Sequence, residues 1–253
     1  MSAALLAMGC ESRPPPMLPT THDDVVKPAG DGGTGAVTTE GAGPAETAPG
    51  ELDVLGVGAL IDETVEGALA RNLLPGCVVL AGTHDRVLFR RAYGLRSVEP
   101  TREVMTLDTI FDLASLTKPI AIAASVLKLV EQGSLTLDEP LRRVMPELAR
   151  YGKGALTARH LLLHTSGLPA ETPKRDYEGG LEAALRRILT TPLRSPPGAR
   201  FAYSDVGYIL LEAALRRVAG EDVSRFAEQH LFEPLAMTDT RFRPPEALWP
   251  RVA

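Results

Sequence analysis

The sequence predicts an α/β (α+β) fold in which a helical cluster stands beside an antiparallel sheet, and three features carry that prediction. Two short runs rich in Val, Leu and aromatic residues, 77–81 and 86–93, flank a turn at 82–85 and read as a β-hairpin. Almost every segment after residue 113 repeats its apolar side chains at helical spacing, and strand signal all but vanishes there. Hydrophobic residues make up 44% of the chain and charged residues 23%, which suits a globular core.

The elements follow in order. Residues 1–10 form a short apolar stretch ending in Gly9-Cys10, and 11–50 are rich in Pro, Gly, Thr and Ala with few large apolar side chains. A segment of that composition buries too little surface to offset the entropy of ordering it. Residues 11–50 therefore read as a disordered tether, and 51–253 as the folded part. Between 57 and 72, Leu60, Ile61, Thr64, Val65, Ala68 and Leu69 fall on one helical face. After the hairpin, residues 109–113 lead into a helix that starts at Ser115, runs through Ile120, Ala123, Ala124, Leu127 and Val130, and stops near Gly133. Further helical segments are expected at 138–149, 157–165, 180–190, 205–219 and 222–232, punctuated by the Pro/Gly cluster at 192–198 and by Pro244-Pro245. Two strands make a marginal sheet, so exposed apolar surface is expected on the hairpin and on the Ser115 helix.

The bulk properties exclude several classes. A formal net charge of −5, with no dense Lys/Arg run interleaved with aromatics, argues against a nucleic-acid partner. No apolar run reaches the length that spans a bilayer. Cys10 and Cys77 lie in contexts too different for a disulfide framework. Cys77, in Pro75-Gly76-Cys77-Val78, reads as a small apolar residue on a strand.

Ser115 and Lys118 form an S-x-x-K pair. Positions i and i+3 share a helical face, so the hydroxyl and the amine can meet. A serine hydroxyl needs a base to become a nucleophile, and a partly desolvated lysine with a lowered pKa is one. A second informative stretch is Phe201-Ala202-Tyr203-Ser204-Asp205-Val206-Gly207-Tyr208. Ser204 or Asp205 can cap a helix there, and a Tyr203 hydroxyl near a lysine ammonium can relay protons to and from a serine. Asp205 can also pair with Lys118 and keep it charged. His160 and His164 stand four apart, but a zinc protease needs Glu directly after the first, where Leu161 stands; no metal is expected. His164 is expected instead to hydrogen-bond backbone near Gly167. Ser166 is not a G-x-S-x-G nucleophile, because His164 occupies the first glycine position. Gly32, Gly33 and Gly35 follow no strand, which removes a phosphate-loop reading.

Taken in order, these pieces resemble the serine β-lactamase-related family of class C β-lactamases, serine D-Ala-D-Ala carboxypeptidases and related esterases, over roughly residues 55–245. They are Ser115-Leu116-Thr117-Lys118 behind Phe111-Asp112-Leu113-Ala114, then Leu135-Thr136-Leu137-Asp138-Glu139-Pro140, then Leu161-Leu162-Leu163-His164-Thr165-Ser166-Gly167-Leu168. Pro197-Gly198, Tyr203-Ser204-Asp205 and Phe232-Glu233-Pro234-Leu235-Ala236-Met237-Thr238-Asp239-Thr240 complete the run. The resemblance implies a β-lactamase/transpeptidase-like fold. It implies that Ser115 attacks a carbonyl and is acylated, and that Lys118 accepts or relays its proton. Tyr203 would be the second base and help to activate the deacylating water, and Asp205 would line the substrate site.

Two departures stand out. The family's middle motif is usually Tyr-x-Asn, and an ionised Asp205 only accepts where an Asn amide can also donate. No Lys-Thr-Gly or His-x-Gly triplet follows Tyr203, so the chain reads as the front part of a longer protein. The Gly9-Cys10 ending before a flexible tether resembles a bacterial lipoprotein signal with lipid attached at Cys10; the other reading is an ordinary terminus with an incidental cysteine. The expectation is an exported, cell-envelope serine hydrolase. It would act through an acyl-enzyme on an ester, amide or peptidoglycan-like or β-lactam substrate, with no metal or organic cofactor. A non-catalytic envelope-sensing module or inactive fragment is the alternative, and a cytoplasmic location follows if the N-terminus is not a signal.

Overall fold

The computed structural model describes residues 56–253; the readings of Cys10 and of the 11–50 tether lie outside the described residues. The described chain divides into two compact units. One is Leu113–Pro244, and the other joins residues 56–112 to Pro245–Ala253.

The second of these holds the sheet. Helix α1 (Val57–Ala70) ends because Asn72 turns left-handed, with φ 55°: its N–H donates to the Leu69 carbonyl and the Leu73 N–H to the Ala68 carbonyl. Asn tolerates that conformation better than most residues. Strands β1 (Gly76–Gly82) and β2 (Val87–Ser97) form the expected antiparallel hairpin, with Cys77 opposite Tyr93. A third strand, β3 (Glu103–Val104), pairs with β2 to give the order β1-β2-β3. At two residues it is too short to show alternation in sequence. The chain end lies alongside, where Ile110 bridges Val252 in parallel and Arg251 pairs with Asp108 at 3.0 Å.

This unit has a thin apolar core. Tyr93 and Met105 are its fully buried large side chains among the described residues, and α1 buries none completely. Leu80, Val87 and Val104 face solvent, as expected for a small sheet. The expected apolar face of α1 needs correction: Leu60 is 63% exposed, and the half-buried side of the helix includes Asp62. The reason is polar. Asp62 accepts a hydrogen bond from the Tyr93 hydroxyl at 2.6 Å and pairs with the Arg91 guanidinium, which clamps α1 to β2. With so little area buried, the clamp is a large share of what holds α1.

The other unit is helical and has the main core. After a 3₁₀ turn at Ala114–Leu116, Lys118–Ala123 is π-helical and runs into α2 (Ala124–Glu131). The expected continuous helix from Ser115 is thus three kinds of helix in succession. Its buried face is Ile122, Val126 and Leu129, while Leu116 and Leu127 face solvent. The left-handed Gly133 ends it, as expected.

The expected helix at 138–149 is instead two 3₁₀ turns, Leu141–Arg143 and Pro146–Tyr151. Pro140 precedes the first and Pro146 opens the second, which leaves no room for an α-helix between them. Three helices follow: α3 (Ala158–Leu162), α4 (Gly180–Thr190) and α5 (Asp205–Ala219). Helix α6 (Val223–Ala227) then continues into a π-helical turn, Glu228–Phe232. Every residue of α5 from Val206 to Leu215 is buried, and α2, α3, α4 and α6 all pack against it. A helix apolar on nearly all sides belongs at the centre of a cluster. No helix among the described residues is long and apolar enough to cross a membrane.

Replacing Asp62 by Ala should cost about 1–3 kcal/mol, the usual loss when buried partners are left unpaired. Hydrogen exchange should then accelerate across α1 more than across α5. Equal acceleration in both helices would show that the clamp does not act locally.

Candidate active site

The helical unit brings Ser115, Lys118, Tyr203 and Asp205 together. Ser115 sits on an exposed 3₁₀ turn, and the residue before it, Ala114, is left-handed with φ 43°. That conformation costs a non-glycine residue roughly 1–2 kcal/mol, and it lets the chain turn sharply just ahead of the hydroxyl. Three residues on, Lys118 opens the π-helical segment with its side chain almost fully enclosed. Its Nζ donates to Ser115 Oγ at 3.0 Å. The spacing works as the sequence implies, although no regular α-helix carries it.

Asp205 is the first residue of α5, and its Oδ1 lies 2.8 Å from Lys118 Nζ. Tyr203 places its ring centroid 5.1 Å from the same nitrogen. One ammonium therefore faces the hydroxyl, the carboxylate and the phenol ring. Burial alone would push the lysine pKa down, as expected from sequence. The Asp205 carboxylate, helped by the Tyr203 side chain, more than offsets it, and the net shift is upward. The expected lowered value is thus corrected: the net shift favours the ammonium form of Lys118. A raised lysine pKa adds stability at all pH values below the ordinary one, and that stability is lost only as pH rises through the folded value.

His164 holds the Tyr203–Asp205 segment in place. Its Nδ1 accepts from the Ser204 N–H at 3.0 Å, and its carbonyl accepts from the Ala202 N–H at 2.8 Å. The ring stacks on Tyr203 at 4.3 Å and tilts against Tyr208 at 5.0 Å. The expected partner near Gly167 is therefore corrected to Ser204, 40 residues away in sequence. The reason is the end of α3. His164 is left-handed, with φ 55°; its N–H donates to the Leu161 carbonyl and the Thr165 N–H to the His160 carbonyl. This closes the helix one turn before Gly167 and swings the imidazole towards α5. His160 serves another end of α3, completing a capping box with Thr157. No cluster of His, Cys, Asp and Glu suited to a metal occurs among the described residues.

Further bonds lock the segment. Ser204, fully buried, donates to the Pro169 carbonyl at 2.6 Å and caps α5 by accepting from the Gly207 N–H at 3.0 Å. The Asp205 N–H donates to the Ala170 carbonyl at 2.8 Å. Gly167, with φ 78°, passes so close to Ser195 that a Cβ would overlap the Ser195 carbonyl oxygen. The 164–170 loop is thus the frame on which Tyr203 and Asp205 are mounted. Its residues were visible in sequence as a motif, but their pairing with 194–205 was not.

This fold and this grouping define a class. Residues 61–253 match the family model for beta-lactamase, and the chain belongs to that family. Among its relatives is esterase EstB of Burkholderia gladioli, 35% identical over 212 residues that cover 76% of this chain and 53% of EstB. The solved structure of EstCE1, described as a hydrolase with promiscuous acyltransferase activity, has a TM-score of 0.66 at 27% identity, covering 76% of this chain and 54% of that one. A class C beta-lactamase superposes with a TM-score of 0.69 over 80% of this chain and 55% of its own, at 22% identity, and supports the fold. The chain spans about half the length of the relatives it matches.

Two outcomes are expected from this frame. Gly167→Ala should lower Tm and, by displacing the strand of chain at 194–198, reduce any Ser115-dependent reactivity; unchanged values of both would show the contact to be slack. His164 is the second. Burial and the Lys118 charge hold its pKa below the ordinary histidine value, and its Nδ1 accepts a bond only when unprotonated. The unfolded chain therefore takes up a proton that the folded chain resists, and stability falls as pH drops below about 6.5. His164→Asn, which keeps a side chain tolerant of the left-handed backbone, should flatten the fall in Tm between pH 6.5 and 5. An identical slope in wild type and variant would exclude His164 as its source.

Proposed function

We propose that the protein is a serine hydrolase that acts through an acyl-enzyme on Ser115. The observation that carries this is the single ammonium of Lys118 shared by Ser115 Oγ at 3.0 Å and Asp205 at 2.8 Å, with the Tyr203 ring beside it. Ser115 Oγ attacks the carbonyl carbon of an ester or amide and the carbonyl oxygen takes the negative charge. The serine proton passes through Lys118, which must first hand one of its own to the Asp205 carboxylate or to a Tyr203 already in its phenolate form, because an ammonium has no lone pair to accept with. The leaving group departs with a proton returned along the same path. Water, activated by Tyr203, then releases the acid and restores Ser115.

Esters are the favoured substrates. Asp205, an acceptor when ionised, stands where a donor to an amide carbonyl would serve β-lactam or peptide binding, and the 35% identical relative is an esterase. The envelope location, with a tether at 11–50 and lipid at Cys10, is part of the same proposal and rests on the composition of that region.

A fluorophosphonate probe with intact-mass readout tests the assignment. The wild-type protein should gain one label, Ser115→Ala none, and Lys118→Ala should label about 100-fold or more slower, the usual range for a lost proton-transfer group. Labelling of Ser115→Ala at the wild-type rate would overturn the nucleophile. Labelling without turnover of any ester would favour the sensing alternative, a role in which a firmly protonated Lys118 is no handicap.

A further inference from the structure

Asp205 also decides which charges the site presents to a ligand. Lys118 is the cation beside Ser115, and its side chain is enclosed; the Asp205 side chain on the same ion pair is 48% exposed. A molecule arriving from solvent therefore meets the carboxylate of this pair before the ammonium. The charged groups that bear on the neighbouring His164 ring are these same two, Lys118 and Asp205. The exposed surface around them is apolar: Phe201 is 70% exposed and Tyr203 44%, both in ring contact with His164. The pair carries no net charge, and its negative end is the one turned towards solvent, set among aromatic rings.

Resting on the hydrolase reading above, we infer that Asp205 cancels the pull of Lys118 on anions, so that the site favours neutral or cationic esters with apolar groups over anionic ones. The physical basis is plain repulsion. A carboxylate about 7 Å from a ligand's anion, at an effective dielectric of about 40 between protein and water, contributes a repulsion worth roughly tenfold in binding, and in the wild-type pair it offsets the attraction of the ammonium behind it. An amide in place of Asp205 would leave the lysine charge uncancelled and reverse the preference.

The test uses the intact protein and three esters of matched shape: phenyl acetate, m-acetoxybenzoate and (m-acetoxyphenyl)trimethylammonium. Each kcat/KM is divided by the rate of hydroxide-catalysed hydrolysis, which removes intrinsic reactivity. Asp205→Asn should raise the anion-to-neutral ratio about tenfold and lower the cation-to-neutral ratio by a similar factor. Asp205→Glu should keep the wild-type ratios. Ratios do not depend on how much of a variant is folded. In Asp205→Asn, raising the salt should also shrink the preference for the anion, since the uncancelled lysine charge is screened. Ratios unmoved by Asp205→Asn and by salt, with hydrolysis still dependent on Ser115, would overturn the charge selection and leave the hydrolase reading standing. Absence of Ser115-dependent hydrolysis of all three esters would overturn both.

Discussion

The hydrogen bond from the Ser204 amide to the His164 imidazole organises the candidate site. One residue does two jobs there. Its left-handed backbone terminates α3, and its ring and carbonyl receive the chain as it enters α5. Because α5 is buried from Val206 to Leu215, it has no freedom to slide or roll, and whatever is fixed at its first turn is fixed for the whole unit. Tyr203 and Asp205 inherit that rigidity. Lys118 reaches them from another helix, so the meeting of the ammonium, hydroxyl and carboxylate follows from two backbone termini held in register. Geometry of this kind, set by packed elements and not by flexible loops, is what preorganised chemistry requires.

Electrostatics then sets the resting state. Two opposed effects act on Lys118: enclosure, which disfavours its charge, and Asp205, which favours it; the carboxylate prevails. The serine is thus held by a donor, not awaited by a base, and the proposed hydrolysis requires the proton inventory to be rearranged before attack. The same two charges act on His164 in opposite directions, and burial tips that balance towards the neutral ring whose lone pair the Ser204 amide needs. One enclosed cation thus constrains the protonation of a neighbour whose own bond positions the cation's partners. The sheet unit shows the contrasting solution. Lacking a large core, it ties α1 to β2 through the carboxylate of Asp62.

Much of this was legible in the chain. The hairpin announced itself because β-branched and aromatic runs flanked a short turn, and the Ser115–Lys118 meeting because three residues make nearly one turn of α or 3₁₀ helix. The pairing of Asp205 with Lys118 was one of two readings that the motif order offered, since charge by itself does not pick one partner among 32 acidic residues. Other features were hidden for identifiable reasons. Strand β3 is shorter than any period. The turns at 141–151 carry apolar spacing that 3₁₀ geometry satisfies as well as α geometry, and only the prolines distinguish them. The role of His164 depends on a positive φ and on a partner 40 residues downstream, neither of which a local pattern contains. The lysine pKa was misjudged because burial was weighed without the size of the carboxylate's effect.

The π-helical segment at Lys118–Ala123 has a consequence of a different kind. A π turn is an α turn with one residue too many, and such turns often occur at functional sites. Ser115 and Lys118 lie on its upstream side, and the core-facing Val126 and Leu129 lie downstream. Removing one residue between them would restore regular α geometry and leave the two ends facing almost as before, because five α residues at about 100° each turn nearly as far as six residues of the wider π helix. The unit would keep its hydrophobic seam and lose only the widened turn that starts at Lys118. In evolutionary terms, the stretch has the form of an α-helix that has taken in one residue beside the site, a change of length that the core downstream need not notice.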